Sequence, residues 1–511
     1  MLELDGASLT YEEFRCNCLE PNRPAIIRNA CQNGGTTYFD LTELIHRLSP
    51  QVLLDTIGPE TLVPVYPSPC TAELNDTAAK DGCAEAIRDE GETSPCGPTY
   101  RSGRGEAAAA TEIDGDDDEG CREVPLRNVL ESWDQTGAHR GVGTSKSRVY
   151  YLKDWHLQEA LENAAANTEG ELFGGSLAVT SGFARQREKG AHGNALYRVP
   201  DFLGADWMDP FCRYMTQSSA SPLAGSEEEF SLPAAAAAAM QCGGNGLTSA
   251  CTSTPRPVGF GSNRSDYRFA YIGPVGSWTP LHCDVFGTYS WSFNVCGDKL
   301  WFFPTMSGNA YLHAHLLPSF PTPPDIRVLT GFATESVVQH PGDLVFVPAR
   351  FYHQVHNISG ETFPASWYTN PAASDEETGS PQGASSTSSL VGPLTMALNH
   401  NWCNTFNIEC MTQTFLRDAQ RLVRSLSVDD LTVICDTKDV VVWRDYVDAM
   451  LHGGTNWSYA SMTCFLTFCV HCIGSVAPGM VAAEDERAMA GERVRQLLAE
   501  VRESYEHLFA A

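Results

Sequence analysis

Past Asp266 the chain alternates. In YSWSFNVC, Tyr289, Trp291, Phe293 and Val295 fall on one face of an extended strand, and Ser290, Ser292, Asn294 and Cys296 fall on the other, because successive strand side chains point to opposite sides. One face is packed and the other lines something polar. Gly297 and Asp298 predict a hairpin turn into KLWFFP, and further strands follow at PGDLVFVP and FYHQVHN. In LTMALNHNW, Met396 and Leu398 alternate with Thr395, Ala397, Asn399 and Asn401, again leaving a small, polar inner face. Such strands suit a small barrel that holds one ligand.

The rest of the chain reads as ordered pieces separated by low-complexity inserts. Residues 1–66 mix helical patches (YEEFRCNC, FDLTELIHRL) with short apolar strands (PAIIRN, LVPVYP) and are expected to form the N-terminal part of the same domain as the barrel. Residues 67–121, rich in Gly, Ala, Asp and Glu, hold too little apolar content to pack and are expected to be disordered. Residues 122–216 return to helix and strand, with a break near 165–193; 217–264 is a second expected disordered insert, including the alanine run Ala234–Ala239. The barrel occupies 265–402, enlarged at a hairpin tip over 361–390, and 403–511 turns helical. Val494, Leu498, Val501, Tyr505 and Leu508 mark one apolar helix face there, expected to pack on the body.

Composition narrows the class. The net charge of -29 and the lack of a long basic block exclude a protein that tracks nucleic-acid phosphates, but suit a basic protein substrate. MLELDGASLTYEEF has neither the basic flank nor the apolar run of a signal peptide, so a reducing compartment is expected: cytoplasmic, with nuclear residence compatible. There the 18 cysteines read as free thiols. CFLTFCVHCIGSVAPGM is too short to span a bilayer and reads as a core helix. Its Cys469 and Cys472 form a CxxC without a second pair, so packed thiols are favoured over zinc. The acidic run DGDDDEG lacks the spacing of an EF-hand loop and reads as a solvated stretch.

Candidate chemistry concentrates in WTPLHCDVF. His282 and Asp284 lie two apart on a strand, so imidazole and carboxylate converge on one side. Two histidines and one carboxylate make the facial triad of non-haem iron(II) oxygenases, which leaves positions open for co-substrate and oxygen. PGDLVFVPARFYHQVHN offers His353 and His356, which lie an odd number apart and face opposite ways; spacing does not choose between them. His400 shares the Met396 and Leu398 face and reads as a hydrogen-bonded structural histidine.

The combination of TPLHCD, a lysine seventeen residues past the first histidine in GDKLWFFP, the PGD-x-x-FVP element followed by a histidine, and a closing strand ending in NHNW resembles the jumonji C (JmjC) oxygenases. That resemblance implies an α+β fold with a double-stranded β-helix core, iron(II) and 2-oxoglutarate as cofactor and co-substrate, and molecular oxygen as oxidant. It implies His282, Asp284 and His353 as metal ligands, His356 not being one, with Thr279 and Lys299 at the far carboxylate of 2-oxoglutarate. Among the polar inward residues, Ser292, Asn294 and above all Asn401 are candidates for the co-substrate pocket; Ser290 and Asn399 share that face. YLKDWHL, YIGPVGSWTPLHCDVF, NHNWCNTFN and WRDYVDAMLHGGTNWSYASMTCFLTF are similar to a branch of the family that implies lysyl hydroxylation of eukaryotic peptide chain release factor 1, a translation-termination protein. The inserts, 361–390 above all, depart from that pattern. Two other classes stay open: a JmjC histone lysine demethylase, although no zinc or reader module is visible, and a catalytically silent barrel that binds a partner.

Overall fold

A computed structural model describes residues 1–68, 121–133, 149–172, 195–212, 267–316, 325–364, 390–455, 457–475 and 484–509. Most of the expected insert 67–121, the insert 217–264, the tip of 361–390, most of 165–193 and the DGDDDEG run lie outside the described residues. Three insert edges are ordered where a break was expected: the strand Leu62–Ser68 runs past residue 66, a helix runs over Leu157–Leu172, and Glu361–Pro364 is a strand.

The described strands are, in chain order, β1 (Leu2–Asp5), β2 (Ala25–Arg28), β3 (Gln32–Asn33), β4 (Thr36–Thr37), β5 (Leu62–Ser68), β6 (Arg122–Pro125), β7 (Val149–Trp155), β8 (Arg268–Pro274), β9 (Trp278–His282), β10 (Tyr289–Cys296), β11 (Asp298–Pro304), β12 (Thr334–Gln339), β13 (Leu344–Val347), β14 (His353–Ser359), β15 (Glu361–Pro364) and β16 (Leu390–Trp402). A large sheet runs β1-β2-β13-β10-β16-β8-β7-β5-β6, with β15 also on β16, and a four-stranded sheet runs β12-β11-β14-β9. Their pairings are antiparallel except β1 on β2. This is the α+β, double-stranded β-helix architecture expected.

The alternation of β10 sorts the molecule into layers. Tyr289, Trp291, Phe293 and Val295 join the core behind the large sheet, packed under N-terminal residues such as Phe14, Phe39, Leu44 and Leu126. Phe39 stacks on Phe293 at 3.7 Å between centroids. On the opposite side Trp301 and Phe303 of β11, Val355 of β14, Val345 and Val347 of β13 and Ile26 of β2 close one half of the space between the sheets. Lys299 shares the inward face of β11 with Trp301 and Phe303 but lies at the other end. The interior is therefore apolar in one half and polar in the other.

One expectation fails at Gly297. β10 and β11 belong to different sheets, so Gly297 and Asp298 form a corner that carries the chain across the sandwich and no hairpin. Gly297 has φ +71°, and a Cβ there would meet the Ser359 carbonyl oxygen at 2.4 Å. Gly297→Ala is expected to destabilise the fold by at least about 1 kcal/mol, since alanine neither adopts this φ freely nor clears that carbonyl. A urea titration in which midpoint and slope matched wild type would sink this reading.

After β16 come helices at Ile408–Ser425, Val428–Cys435, Val440–Thr455, Tyr459–Ser475 and Glu484–Glu506. They build a separate core with Trp207, Phe211 and Cys403. The terminal helix packs inward as expected, with Val494, Leu497, Val501 and Leu508 buried, while Leu498 and Tyr505 are only partly covered. The CFLTFC run is a core helix: Phe465, Leu466 and Cys469 are buried, and the side chain of Cys472 lies outside the described residues. No helix of the described residues is long and apolar enough to cross a membrane.

Candidate metal centre

β9 ends on His282 exactly where β14 begins on His353, and the two residues are paired across the strands. Their rings lie 4.1 Å apart between centroids. Asp284 follows two residues later, and one ligand atom from each of the three lies within 4.8 Å of the others. The turn that carries Asp284 is braced from behind. Phe286 adopts φ 57° and sets its ring 5.9 Å from Trp457 of the helical core, and Gly287 lies so close to Cys410 that a Cβ would come within 2.9 Å of the sulfur.

Each imidazole is oriented by its own backbone. His282 Nδ1 donates to the Pro280 carbonyl at 2.8 Å, and His353 Nδ1 donates to the Phe351 carbonyl at 3.1 Å. With Nδ1 carrying the proton, both Nε2 atoms are left as acceptors, the form a metal requires. Burial pushes both imidazoles below the ordinary histidine pKa, His282 well below it, so both are neutral near pH 7. Trp301 and Phe303 stack against His353 from the apolar half. Ser290, on the polar face of β10, donates its hydroxyl to Asp284 Oδ2. Ser290→Ala is expected to weaken metal binding about 10- to 100-fold by freeing the carboxylate to rotate; a cobalt(II) titration with wild-type affinity would count against it.

The two competing histidines fall away from this centre. His356 faces the other side of β14, stacked on Trp278 at 5.1 Å and bonded to Gln354, and burial lowers its pKa to about 4. His400 lies between Tyr197 and Asp206 as a buried hydrogen-bonded residue, as its strand face implied.

Beyond the triad the pocket turns cationic. Lys299 is 2% exposed, and no hydrogen bond or ion pair partners its ammonium among the described residues. It lies over the Tyr271 ring, 5.6 Å from the centroid, and burial pulls its pKa from 10.5 down to about 7. Thr279 is buried on β9 and acts electrostatically on the buried phenol of Tyr151 on β7, while Asn357 donates to the Ser277 hydroxyl at 2.8 Å. Gly273 makes room for that tyrosine, because a Cβ there would lie 2.4 Å from its ring. Ser292 Oγ and Asn399 Oδ1 face each other across β10 and β16, both buried and without a hydrogen-bond partner. Asn401 donates to Thr288 Oγ1 at 3.1 Å. Asn294 departs from the pocket role expected of it at its donor end, because its Nδ2 holds the Gly297 corner and the Gln339 carbonyl.

Residues 269–363 match a family described as JmjC domain, hydroxylase. The chain carries a JmjC domain. Its matched span runs from β8 to β15 and includes the triad, Thr279 and Lys299, while Tyr151 on β7 and Asn401 on β16 flank it. The chain is similar to 2-oxoglutarate and iron-dependent oxygenase JMJD4 of Danio rerio, 30% identical over 210 residues that cover 39% of this chain and 40% of the relative. The Homo sapiens protein of that name is 35% identical over 156 residues, 29% of each chain. Arginine-specific demethylase JMJ20 of Arabidopsis thaliana is 31% identical over 189 residues, covering 35% of this chain and 33% of the relative. The chain thus spans between 29% and 40% of the length of these relatives.

The residues of the JmjC domain fit the cofactors expected from the sequence. Two neutral imidazoles and one carboxylate are the donor set for iron(II). A buried ammonium without a hydrogen-bond or ion-pair partner among the described residues, and a buried Ser292 hydroxyl likewise without one, are donors that suit a dicarboxylic acid such as 2-oxoglutarate. The parts that strand-by-strand reading passed over are Tyr151, Tyr271 and the role of Ser290. The first two arrive from β7 and β8; Tyr151 opens YLKDWHL and Tyr271 opens YIGPVGSWTPLHCDVF, but neither tyrosine was singled out there.

Proposed function

We propose that this protein is an iron(II)- and 2-oxoglutarate-dependent protein hydroxylase that hydroxylates a lysyl residue of eukaryotic peptide chain release factor 1, acting in translation termination in the cytoplasm. The observation that carries the oxygenase reading is the triad of His282, Asp284 and His353 with both Nε2 atoms free, set beside the unpartnered Lys299. The hydroxylase reading draws on the family description and on the oxygenase names of the relatives. The release factor enters through similarity to the lysyl-hydroxylating branch, and a net charge of -29 is compatible with a basic target.

When bound, iron(II) with 2-oxoglutarate and oxygen supplies oxidation of a substrate C–H bond to an alcohol, with decarboxylation to succinate. The chain's own residues do the rest. His282, Asp284 and His353 hold the metal. Lys299 holds the far carboxylate by charge-assisted hydrogen bonding, helped by the Thr279 and Tyr151 hydroxyls, and Ser292 and Asn401 line the pocket. Ser290 keeps Asp284 in one orientation. Trp301 and Phe303 exclude water beneath His353.

A second reading has one observation in its favour, the demethylase name of the Arabidopsis relative. Oxidation of an N-methyl group uses the same centre but releases formaldehyde. The discriminating experiment incubates anaerobically reconstituted enzyme with recombinant release factor, admits oxygen and reads peptide masses, with His282→Ala as control. One added oxygen on a lysine in wild type alone supports the proposal. Loss of methyl groups from a methylated protein instead would move the function to demethylation, and no iron-dependent succinate at all would leave a binding module.

A further inference from the structure

β7 and β8 pair at Leu152 with Ile272 and again at Trp155 with Ala270, and the register shifts between them. The displaced residues are Lys153 and Asp154. Asp154 holds φ +58°, a left-handed conformation that costs a residue with a side chain of order 1 kcal/mol. Bulges of this kind re-aim side chains and gather beside active sites. Here the bulge turns Asp154 towards two tyrosines. Tyr271 donates to Oδ1, and Tyr66 donates to Oδ2 at 3.2 Å.

Tyr271 places this carboxylate on the wall of the catalytic pocket. Its ring carries the Lys299 ammonium, and its phenol lies within electrostatic reach of both Asp154 and Asp284. Lys153 lies within electrostatic reach of both His282 and His353. Its ammonium sits over the Tyr66 ring at 4.8 Å and only 3.9 Å from Asp154, a loose contact between sequence neighbours.

The charges on this wall point to a use. Lys299 is committed to the co-substrate carboxylate, and Lys153 adds a second cation near the triad. Those two alone would repel a cationic side chain from the metal. Asp154 contributes the negative charge that the metal does not need, and its side chain is 39% exposed where Lys153 is 15% exposed. A purely structural acceptor for two hydroxyls needs no net charge, no opening to solvent and no left-handed backbone.

We propose that Asp154 is the counter-ion that receives the ammonium of the substrate lysine, and that it sets the preference of this site for a cationic residue. Tyr66 and Tyr271 fix the carboxylate by their hydroxyls and leave it further lone pairs with which to accept from an ammonium. This rests on the protein-hydroxylase reading and extends it to the residue that selects the substrate.

The test is equilibrium binding by fluorescence anisotropy. Overlapping peptides tiled across the release factor are each made with lysine and with norleucine at the centre, and presented to wild type, Asp154→Asn and Asp154→Glu. Wild type is expected to bind at least one lysine peptide tenfold or more tighter than its norleucine twin. Asp154→Asn should collapse that ratio to within twofold while binding of the norleucine twin holds, and Asp154→Glu should restore part of it. Melting curves of all three report folding, and the retained norleucine binding separates lost recognition from lost structure. A lysine preference that survives in Asp154→Asn overturns the proposal, and so does a wild type that does not distinguish the twins. Hydroxylation of the release factor with an unaltered preference in Asp154→Asn would leave the proposed function and remove this inference. Preference lost in Asp154→Asn, in a protein that hydroxylates no lysine, would do the reverse.

Discussion

Asp284→Ala is expected to bind iron(II), or manganese(II) as its stand-in, at least about 100-fold more weakly than wild type, and to form no succinate above background. Asp284 is the only member of the triad that brings negative charge. Its two partners are held neutral by burial. Removing it asks two neutral imidazoles to retain a dication in a largely buried site, and leaves the Ser290 hydroxyl without its acceptor. The comparison is His356→Ala, three residues from a ligand but on the opposite face of β14, tied to Gln354 and Trp278. That variant should lose stability, through the broken stack and hydrogen bond, and keep metal affinity. Calorimetric titration of manganese(II) into both decides it. Equal losses in the two would mean that the centre is not where the geometry sets it.

The contrast between Asp284 and His356 shows what could be read from the chain. Period-two alternation gave the faces of β10, β14 and β16 correctly, because one face of each is buried against a core and the other is polar. The opposition of His353 and His356 and the structural role of His400 follow from that rule, whereas Asp284 comes beside His282 from the turn after β9 and not from a shared strand face. Choosing His353 needed the family resemblance, since alternation says that two residues face opposite ways but not which way is in. The Gly297 corner was misread because a glycine followed by a polar residue between two apolar strands looks the same whether the chain turns back into its own sheet or crosses to another; the pairing partners lie 30 or more residues away in sequence. Tyr151, Tyr271 and Asp154 lie in stretches that carry the resemblance, but their roles were not legible for a related reason: they come from β7 and β8, and the bulge that turns Asp154 towards Tyr66 and Tyr271 leaves no mark in composition. Terminal-helix burial shifted from Leu498 to Leu497 because packing against Tyr459–Ser475 selects one side of a stripe that periodicity draws broadly.

Lys299 yields the prediction with the clearest sign. Burial lowers its pKa from 10.5 to about 7, so the free protein holds an ammonium below that pH and an amine above it. A dicarboxylate co-substrate binds the charged form. Above pH 7 the lysine must take up a proton as the ligand enters, so the KM for 2-oxoglutarate is expected to rise about tenfold per pH unit between roughly pH 7 and 9, with net proton uptake on binding. Titration calorimetry in buffers of different ionisation enthalpy measures that proton directly. Stability of the unliganded protein should move the other way. The unfolded chain keeps an ordinary lysine pKa of about 10.4, so between about 7 and 10.4 it binds more protons than the folded chain, and the Lys299 contribution to stability rises with pH. Lys299→Met removes both trends together. It should weaken 2-oxoglutarate binding about 10- to 100-fold at pH 7, as loss of a charged hydrogen bond does, and raise the stability of the unliganded protein below pH 7 by ending the burial of an unpaired charge. If the variant instead binds 2-oxoglutarate as wild type does, with its pH dependence intact, the ammonium serves some other partner and the assignment of the far-carboxylate site falls. A loss of affinity without a gain in unliganded stability would place the lysine in a wetter setting than its 2% exposure describes, keeping the ligand contact but removing the proton uptake.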